Sequence, residues 1–127
     1  MKIINSENAP KAVGPYSQAV VANGFVFLSG QIGLDPRTGE LVNGGVKAET
    51  EQVLKNLKEV LIEANANLDT VISVNVYLKS MRDFKDMNDI YASAFPTTKP
   101  ARVTVGVTEL PKNALVEISC VACLVRV

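Results

Sequence analysis

Histidine and tryptophan are absent from this sequence of 127 residues, and cysteine occurs only twice. Histidine is the commonest general base and the commonest zinc ligand, so its absence excludes a Ser-His-Asp hydrolase and leaves no set of residues for a metal centre. The two cysteines, Cys120 and Cys123, have Cys-x-x-Cys spacing. However, residues three apart on a strand point to opposite faces, and the turn and helix of a redox motif are missing. We therefore predict buried thiols and no bound metal.

Charge of one sign is not in excess either, because 13 basic residues balance 13 acidic ones. Without a basic run, the composition gives no support for binding to nucleic acid or to an anionic membrane. No stretch approaches the roughly 18 apolar residues of a membrane-spanning helix, and the N-terminus lacks the apolar core of a signal peptide. We expect a cytoplasmic protein with a single domain over residues 1–127, and its 47% apolar content is sufficient for a core.

Hydrophobic periodicity predicts the order strand, β-hairpin, helix, strand, helix, strand, strand. Asn23-Gly24 lies between two apolar runs, which is the strongest short signal for a hairpin turn. Apolar residues recur at helical spacing over residues 46–64 and 81–95, whereas alternation over residues 71–78 predicts a strand. Strand–helix–strand connections within one sheet cross over with the same hand, which puts both helices on one side. The predicted fold class is therefore α+β, a mixed sheet with two helices on one face.

Two further strands end the chain, and only seven residues, 108–114, separate them. Because this link is short, we predict that the two strands are neighbours. If Val103 faces the core with the apolar residues of the last strand, Arg102 and Thr104 point the other way, since a one-residue slip exchanges the faces. The same register puts Glu117 beside them, with Arg102 at a diagonal distance of roughly 7–8 Å. The sequence thus predicts a cation and an acid in one small patch.

The last strand is apolar on both of its faces. Val116, Ile118 and Cys120 point one way, and Leu115 and Val121 point the other. A strand that is apolar on both sides is buried on both sides. Two helices cover only one face of the sheet, so we expect another copy of the chain to cover the second face.

Three blocks of sequence resemble the Rid family of reactive-intermediate deaminases: GPYSQA at 14–19, FLSGQI at 27–32, and PAR at 100–102 followed by LPK at 110–112 and VEI at 116–118. The resemblance implies a chorismate-mutase-like α+β fold, assembled as a homotrimer with sites in the clefts between subunits. It implies hydrolysis of 2-imino acids, which arise from enamines such as 2-aminoacrylate and 2-aminocrotonate, to 2-keto acids and ammonia. The implied chemistry uses no metal and no cofactor. The implied role is to protect pyridoxal-phosphate enzymes, with a link to branched-chain amino acid metabolism.

The resemblance also assigns roles to residues by their positions. Arg102 is the implied carboxylate-binding arginine, and Glu117 is the implied glutamate near the attacking water. Gly30 would offer a backbone N–H, and Thr104 stands where related deaminases often have a cysteine whose backbone carbonyl matters. The other implied site residues line the cleft: Tyr16, Ser29 and Asn88.

Chemical reasoning on the two charged residues agrees with these roles. The guanidinium of Arg102 stays charged and pairs bidentately with a carboxylate. Glu117 can move a proton without any histidine, and an apolar cleft would raise its pKa toward a useful range. Imine hydrolysis needs little more than a fixed carboxylate, a positioned water and a proton carrier.

Each of these residues also has an interpretation without function. Arg102 and Glu117 then form a cross-strand ion pair, Asn88 faces solvent or caps a helix, and Gly30 serves backbone geometry alone. Two other functions stay open: a non-catalytic module that binds a small carboxylate and regulates through a partner, and an endoribonuclease or translation inhibitor. The neutral charge and the missing histidine argue against the latter.

Overall fold

The structure, a computed structural model, describes residues 1–125, which form a six-stranded mixed sheet and two helices. The helices are α1 (Gly45–Glu63) and α2 (Phe84–Ala94), and the strands are β1 (Lys2–Ile4), β2 (Ala19–Ala22), β3 (Phe25–Gln31), β4 (Val71–Leu78), β5 (Ala101–Gly106) and β6 (Val116–Cys123). The strands lie side by side in the order β1-β2-β3-β6-β4-β5. The α+β fold class and the predicted order of elements along the chain are confirmed. The last two residues of the predicted domain lie outside the described residues.

Local sequence signals explain the elements that set up the sheet. Asn23 and Gly24 have φ angles of 51° and 82°, the left-handed conformation that a two-residue hairpin turn between β2 and β3 requires. Helix α1 buries one apolar stripe, and its bounds differ from the predicted ones by one residue at each end. Helix α2 begins three residues later than predicted, because 81–83 form a separate 3-10 turn in which the Ser80 hydroxyl accepts the Arg82 N–H at 3.2 Å.

The prediction that the last two strands are neighbours was wrong. Strand β5 pairs in parallel with β4, and β4 lies between β5 and β6. A strand–helix–strand unit places its parallel strands side by side, so β4 and β5 pair through α2. The link from β5 back to β6 has only to step over one strand, about 10 Å. The seven residues of the link can span that distance, so a short link does not require the two strands to be neighbours.

The prediction that Arg102 and Glu117 share a face was also wrong. Arg102 pairs with Val74 of β4, whose side chain is buried beneath the helices, whereas Glu117 pairs with Tyr77 on the other face. Arg102 therefore faces the helices, and Val103 lies 55% exposed on the open face. Alternation alone assigned the valines of β5 to the core. In an edge strand of this sheet, they belong instead to the face that no helix covers.

The helices cover one face of the sheet and leave the other open. Helix α1 packs on β3 and β6, and α2 packs against α1. The open face carries Phe25 and Phe27 of β3, paired with Cys123 and Val121 of β6. Phe27 is 45% exposed, which is unusual for a large aromatic side chain in a sheet. The prediction of a second apolar face is confirmed. No helix in the described part of the chain is long and apolar enough to cross a membrane.

Candidate active site

Arg102 extends from β5 toward one side of helix α2. Its Nη1 donates a hydrogen bond to Asn88 Oδ1 at 2.7 Å. The guanidinium carbon lies 4.7 Å from the centre of the Tyr91 ring and 5.7 Å from that of Phe84. Cation–π contacts and one hydrogen bond therefore fix the orientation of the guanidinium. No carboxylate of residues 1–125 forms a salt bridge with it, so its charge is available to a ligand.

A cavity of about 510 Å³ opens beside Arg102, between α2 and the segment that leads into β5. Burial raises the pKa of the Tyr91 phenol, and the nearby Arg102 partly offsets that rise, so the hydroxyl stays neutral near neutral pH. Arg102 and Lys99 in a wall that also contains aromatic and proline side chains suit a small organic acid. The lining residues are Asn88, Tyr91, Ala92, Phe95, Pro96, Thr98, Lys99, Pro100 and Arg102.

Glu117 lies on the open face, against an irregularity of the neighbouring strand. The pairing of β3 with β6 shifts register between Leu28 and Gln31, and Gly30 sits in that shift. A Cβ atom on Gly30 would lie 2.9 Å from the carboxyl carbon of Glu117, closer than side chains tolerate. The carboxyl group therefore rests directly on the Gly30 backbone, and only glycine permits this approach.

Burial raises the pKa of the Glu117 carboxyl, and no cation of the described chain opposes the rise. A carboxyl with a raised pKa gives and takes protons closer to neutral pH than an exposed one. A second cavity, of about 570 Å³, joins Glu117 to Tyr16, Ser29 and Gly30. Tyr16 stands 53% exposed at this cavity, and the Ser29 hydroxyl donates to the Ser17 carbonyl at 2.6 Å.

The seven predicted site residues thus form two groups rather than one. Arg102, Asn88 and Thr104 lie on the helix side of the sheet, and Tyr16, Ser29, Gly30 and Glu117 surround the cavity of the open side. The buried Thr104 hydroxyl has no hydrogen-bond partner among the described residues. Asn88 is neither solvent-directed nor a helix cap, because it holds the Arg102 guanidinium.

Sequence reasoning missed the aromatic support of Arg102. Phe84 and Tyr91 were assigned to the apolar stripe of α2, which is where the structure puts them. Their positions relative to Asn88 are i−4 and i+3, so all three side chains lie on one side of the helix. That spacing is the sequence signal that groups the two rings with Asn88.

The two cysteines lie on β6 and line neither of the two cavities. Cys120 lies on the helix side, and its burial raises the pKa of the thiol to about 12. Such a thiol stays protonated and is a weak nucleophile. Cys123 is half-buried on the same strand, an odd number of residues away and therefore on the open face. The predicted placement on opposite faces is confirmed, and Cys120 is the fully buried thiol of the pair.

Comparison with known proteins gives the family of the chain. A family model described as Endoribonuclease L-PSP matches residues 6–124. A RutC family protein of Pyrococcus horikoshii is 53% identical over 121 residues, which cover 95% of this chain and 96% of that protein. The chloroplastic Reactive Intermediate Deaminase A of Arabidopsis thaliana is 48% identical over 123 residues, covering 97% of this chain and 66% of that protein. The chain belongs to the Rid family.

Three further comparisons place this Rid chain among proteins of known name or structure. A 2-iminobutanoate/2-iminopropanoate deaminase of Dermatophagoides farinae is 44% identical, with 94% of each chain covered. Among solved structures, a Thermotoga maritima protein superposes with a TM-score of 0.96 at 43% identity, with 99% of both chains covered. Escherichia coli TdcF, crystallised with bound serine, superposes with a TM-score of 0.94 at 34% identity, covering 98% of this chain and 100% of that one. The Rid fold therefore extends over nearly the whole sequence.

Proposed function

We propose that this Rid protein hydrolyses reactive 2-imino acids to 2-keto acids and ammonia, at sites completed by two copies of the chain. The supporting observation is the separation of Arg102 from Glu117. The two side chains lie on opposite faces of one sheet, and each borders a cavity that lacks the other. Neither Arg102 nor Glu117 forms a salt bridge within residues 1–125, so each is available to complement the other from a different chain.

Arg102 binds the substrate carboxylate in this mechanism. The carboxylate of a 2-imino acid is planar and lies next to the C=N bond, so a bidentate guanidinium contact also fixes the position of the reacting carbon. Asn88 and Tyr91 keep the guanidinium in place before substrate arrives. Less orientational freedom is then lost on binding.

Glu117 carries the proton that the reaction moves. Its carboxylate takes a proton from water as the water oxygen bonds to the imine carbon, and the proton passes to the nitrogen to give a carbinolamine. Collapse of that intermediate breaks the C–N bond, forms the keto C=O and releases ammonia. One water is consumed, and Glu117 returns to its starting form. Burial raises the pKa of this carboxyl from its ordinary value toward neutral pH, which favours its use as a proton carrier.

A homotrimer is the assembly we propose for this chemistry. The uncovered face, with Phe25, Phe27 and Val103 all exposed, supports burial against further copies. Closed rotational symmetry would repeat one interface three times and thereby make three equivalent sites. The proposed reaction involves only the chain's own side chains and water, and we propose that it takes place in the cytoplasm.

Complementation between two inactive variants tests both parts of the proposal. A serine dehydratase generates 2-aminoacrylate, semicarbazide traps the imine, and diversion to pyruvate reports turnover. Arg102→Ala and Glu117→Gln should each lose diversion. Trimers assembled from a 1:1 mixture should regain about one quarter of the wild-type rate, because about that fraction of sites inherits both intact groups.

The results also separate the alternatives. Inactive variants that stay inactive after mixing would show that the two groups do not share a site. A wild-type protein that binds 2-keto acids without diverting the imine would favour a carboxylate-binding module. The serine bound by Escherichia coli TdcF, an amino acid on the same fold, is the observation that supports this second candidate. Loss of that binding in Arg102→Ala would locate it at the same guanidinium.

A further inference from the structure

Helix α1 carries a stripe of polar side chains where a core helix would carry apolar ones. Glu49 and Asn56 are only 6% and 1% exposed, and Gln52 lies between them. These positions are i, i+3 and i+7, so the three side chains project from one side of the helix. Burying the carboxyl of Glu49 and the amide of Asn56 is costly unless each finds a partner. The hydrogen-bond partners of these side chains show which segments of the chain they hold in place.

Glu49 holds the entry into β6. Its Oε1 accepts the N–H of Leu115 at 2.9 Å, although the two residues are 66 positions apart. The Leu115 carbonyl in turn accepts the N–H of Lys79 at 3.0 Å. Both backbone polar groups of Leu115 are therefore fixed. Glu117 follows two residues later on the same strand.

The same helix holds the chain that leaves β3. Gly33 lies so close that a Cβ atom there would be 2.9 Å from the Glu49 Cα. Asn56 Nδ2 donates to the carbonyls of Ile32 and Leu34 at 3.3 Å and 3.0 Å. The Gln52 amide supports Asn56 by donating to its Oδ1 at 2.9 Å.

These two anchors converge on one cavity. Ile32 and Leu34 are walls of the cavity that contains Glu117 and Gly30, whereas Glu49 and Asn56 do not line it. The Glu117 carboxyl lies against the Gly30 backbone in this cavity. We propose that Glu49 and Asn56 are positioning residues that hold β6 and the segment after β3 in register, and thereby set Glu117 against Gly30. The catalytic consequence of this proposal rests on the function proposed above.

Substitution of Glu49 tests the proposal through the split between kcat and KM. Glu49→Leu removes the acceptor for the Leu115 N–H, and we expect kcat to fall about 10- to 100-fold, because small displacements of a catalytic group have effects of that size. KM should stay within about twofold, since the substrate carboxylate is bound by Arg102, which the Glu49 anchor does not hold. Glu49→Gln retains an acceptor oxygen and should recover most of the loss. A KM that rises in step with the fall in kcat, or an unchanged kcat, would overturn the proposal.

A matched control and a second variant keep the result interpretable. Thr50→Val removes an equally buried hydroxyl, which bonds only to the carbonyl of Val46 within the same helix. It should lower thermal stability without changing kcat. If Glu49→Leu fails to fold, Asn56→Leu releases the other anchor and should show the same kcat loss at constant KM. An Asn56→Leu enzyme with wild-type kcat would contradict the proposal.

A measurement that needs no turnover separates this proposal from the proposed function. The pKa of Glu117, followed by ¹³C NMR of its carboxyl carbon, should fall toward its ordinary value in Glu49→Leu, because a displaced carboxyl is better hydrated. Thr50→Val should leave it unchanged. A shifted pKa in a protein without imine hydrolysis would refute the function but retain the positioning. An unshifted pKa would refute the positioning, whatever the activity.

Discussion

The two faces of the central sheet differ in what the chain itself supplies. On the helix side, Val74, Val76 and Ile118 are buried beneath α1 and α2, and packing is complete within one chain. On the open side, Phe27 and Val103 remain exposed on the same or neighbouring strands. Alternate residues of one strand point to opposite faces. A substitution at one position is therefore expected to affect folding, and a substitution at the next position is expected to affect assembly. One face determines folding, and the other is available for assembly.

The same division separates the two charged residues of the candidate site. Arg102 belongs to the completed face, where Asn88 and Tyr91 hold it without help from another chain. Glu117 belongs to the open face, in a cavity next to exposed apolar residues. In a single chain, the proposed carboxylate-binding group and the proposed proton carrier therefore lie on opposite faces and do not meet. A substitution that prevents assembly is therefore expected to abolish activity as well, because the two groups then stay apart.

The largest contrast is expected between a carboxylate placed on the buried helix side and one placed on the open face. Val76→Asp would put a carboxylate into the fully buried helix side, at a cost of several kcal/mol, and the chain should not fold. Phe27→Asp should fold normally by circular dichroism but sediment as a monomer, and it should lose imine hydrolysis. A Phe27→Asp protein that keeps both its assembly and its activity would disprove the role assigned to the open face.

Removal of the guanidinium should give the next largest effect. Arg102→Ala loses a charge-assisted bidentate contact, so we expect kcat/KM to fall about 100-fold. Arg102→Lys keeps the charge without the bidentate geometry and should recover only part of the loss. Arg82→Ala removes an exposed cation beside α2 and should change nothing. Equal losses in Arg82→Ala and Arg102→Ala would indicate general attraction of anions instead of a specific contact.

A methyl group at Gly30 should give a smaller loss, confined to the open face. Gly30→Ala pushes the Glu117 carboxyl out of its place, and we expect kcat to fall about tenfold with KM nearly constant. The double variant with Glu117→Gln should be no slower than Glu117→Gln alone, because the methyl group acts only through that carboxyl. Additive losses in this cycle would mean that Gly30 serves another step, such as donating its N–H to substrate.

Periodicity was enough to predict most of the Rid fold. The hairpin at Asn23-Gly24, the long helix and the β4 strand follow from local signals, and the structure confirms them. The position of β5 did not follow, because strand order depends on competition among strands for burial. The pattern of β5 shows that its faces differ. It does not show which face a helix covers.

The composition of the site was easier to predict than its arrangement. Six of the seven residues predicted from sequence border one of the two cavities, whereas the aromatic support of Arg102 and most of the other lining residues were not predicted. Their division between two faces depends on β4 lying between β5 and β6, a long-range fact that no local pattern carries. The anchor between Glu49 and Leu115 spans 66 positions and was missed for the same reason.

The smallest effect concerns the pH dependence of stability, and its sign follows from Glu117. Burial raises the pKa of this carboxyl in the folded chain above its unfolded value, so the folded state binds more protons between the two values. Stability therefore falls as pH rises through that window, from about 4.5 upward. Glu117→Gln removes the ionisable group and with it the free-energy cost of burying a charged carboxylate.

Thermal melts of Glu117→Gln and wild type should therefore diverge with pH. The variant should melt higher than wild type at pH 7, and this advantage should vanish near pH 3.5, where both forms are neutral. Ser119→Ala, a non-titrating change at the next outward-facing position of β6, should show a difference from wild type that is independent of pH. A Glu117→Gln protein less stable than wild type at pH 7 would mean that an opposite charge stabilises the carboxylate. The cation from a neighbouring chain would be the first candidate, and the open face would then be electrostatically as well as sterically completed by assembly.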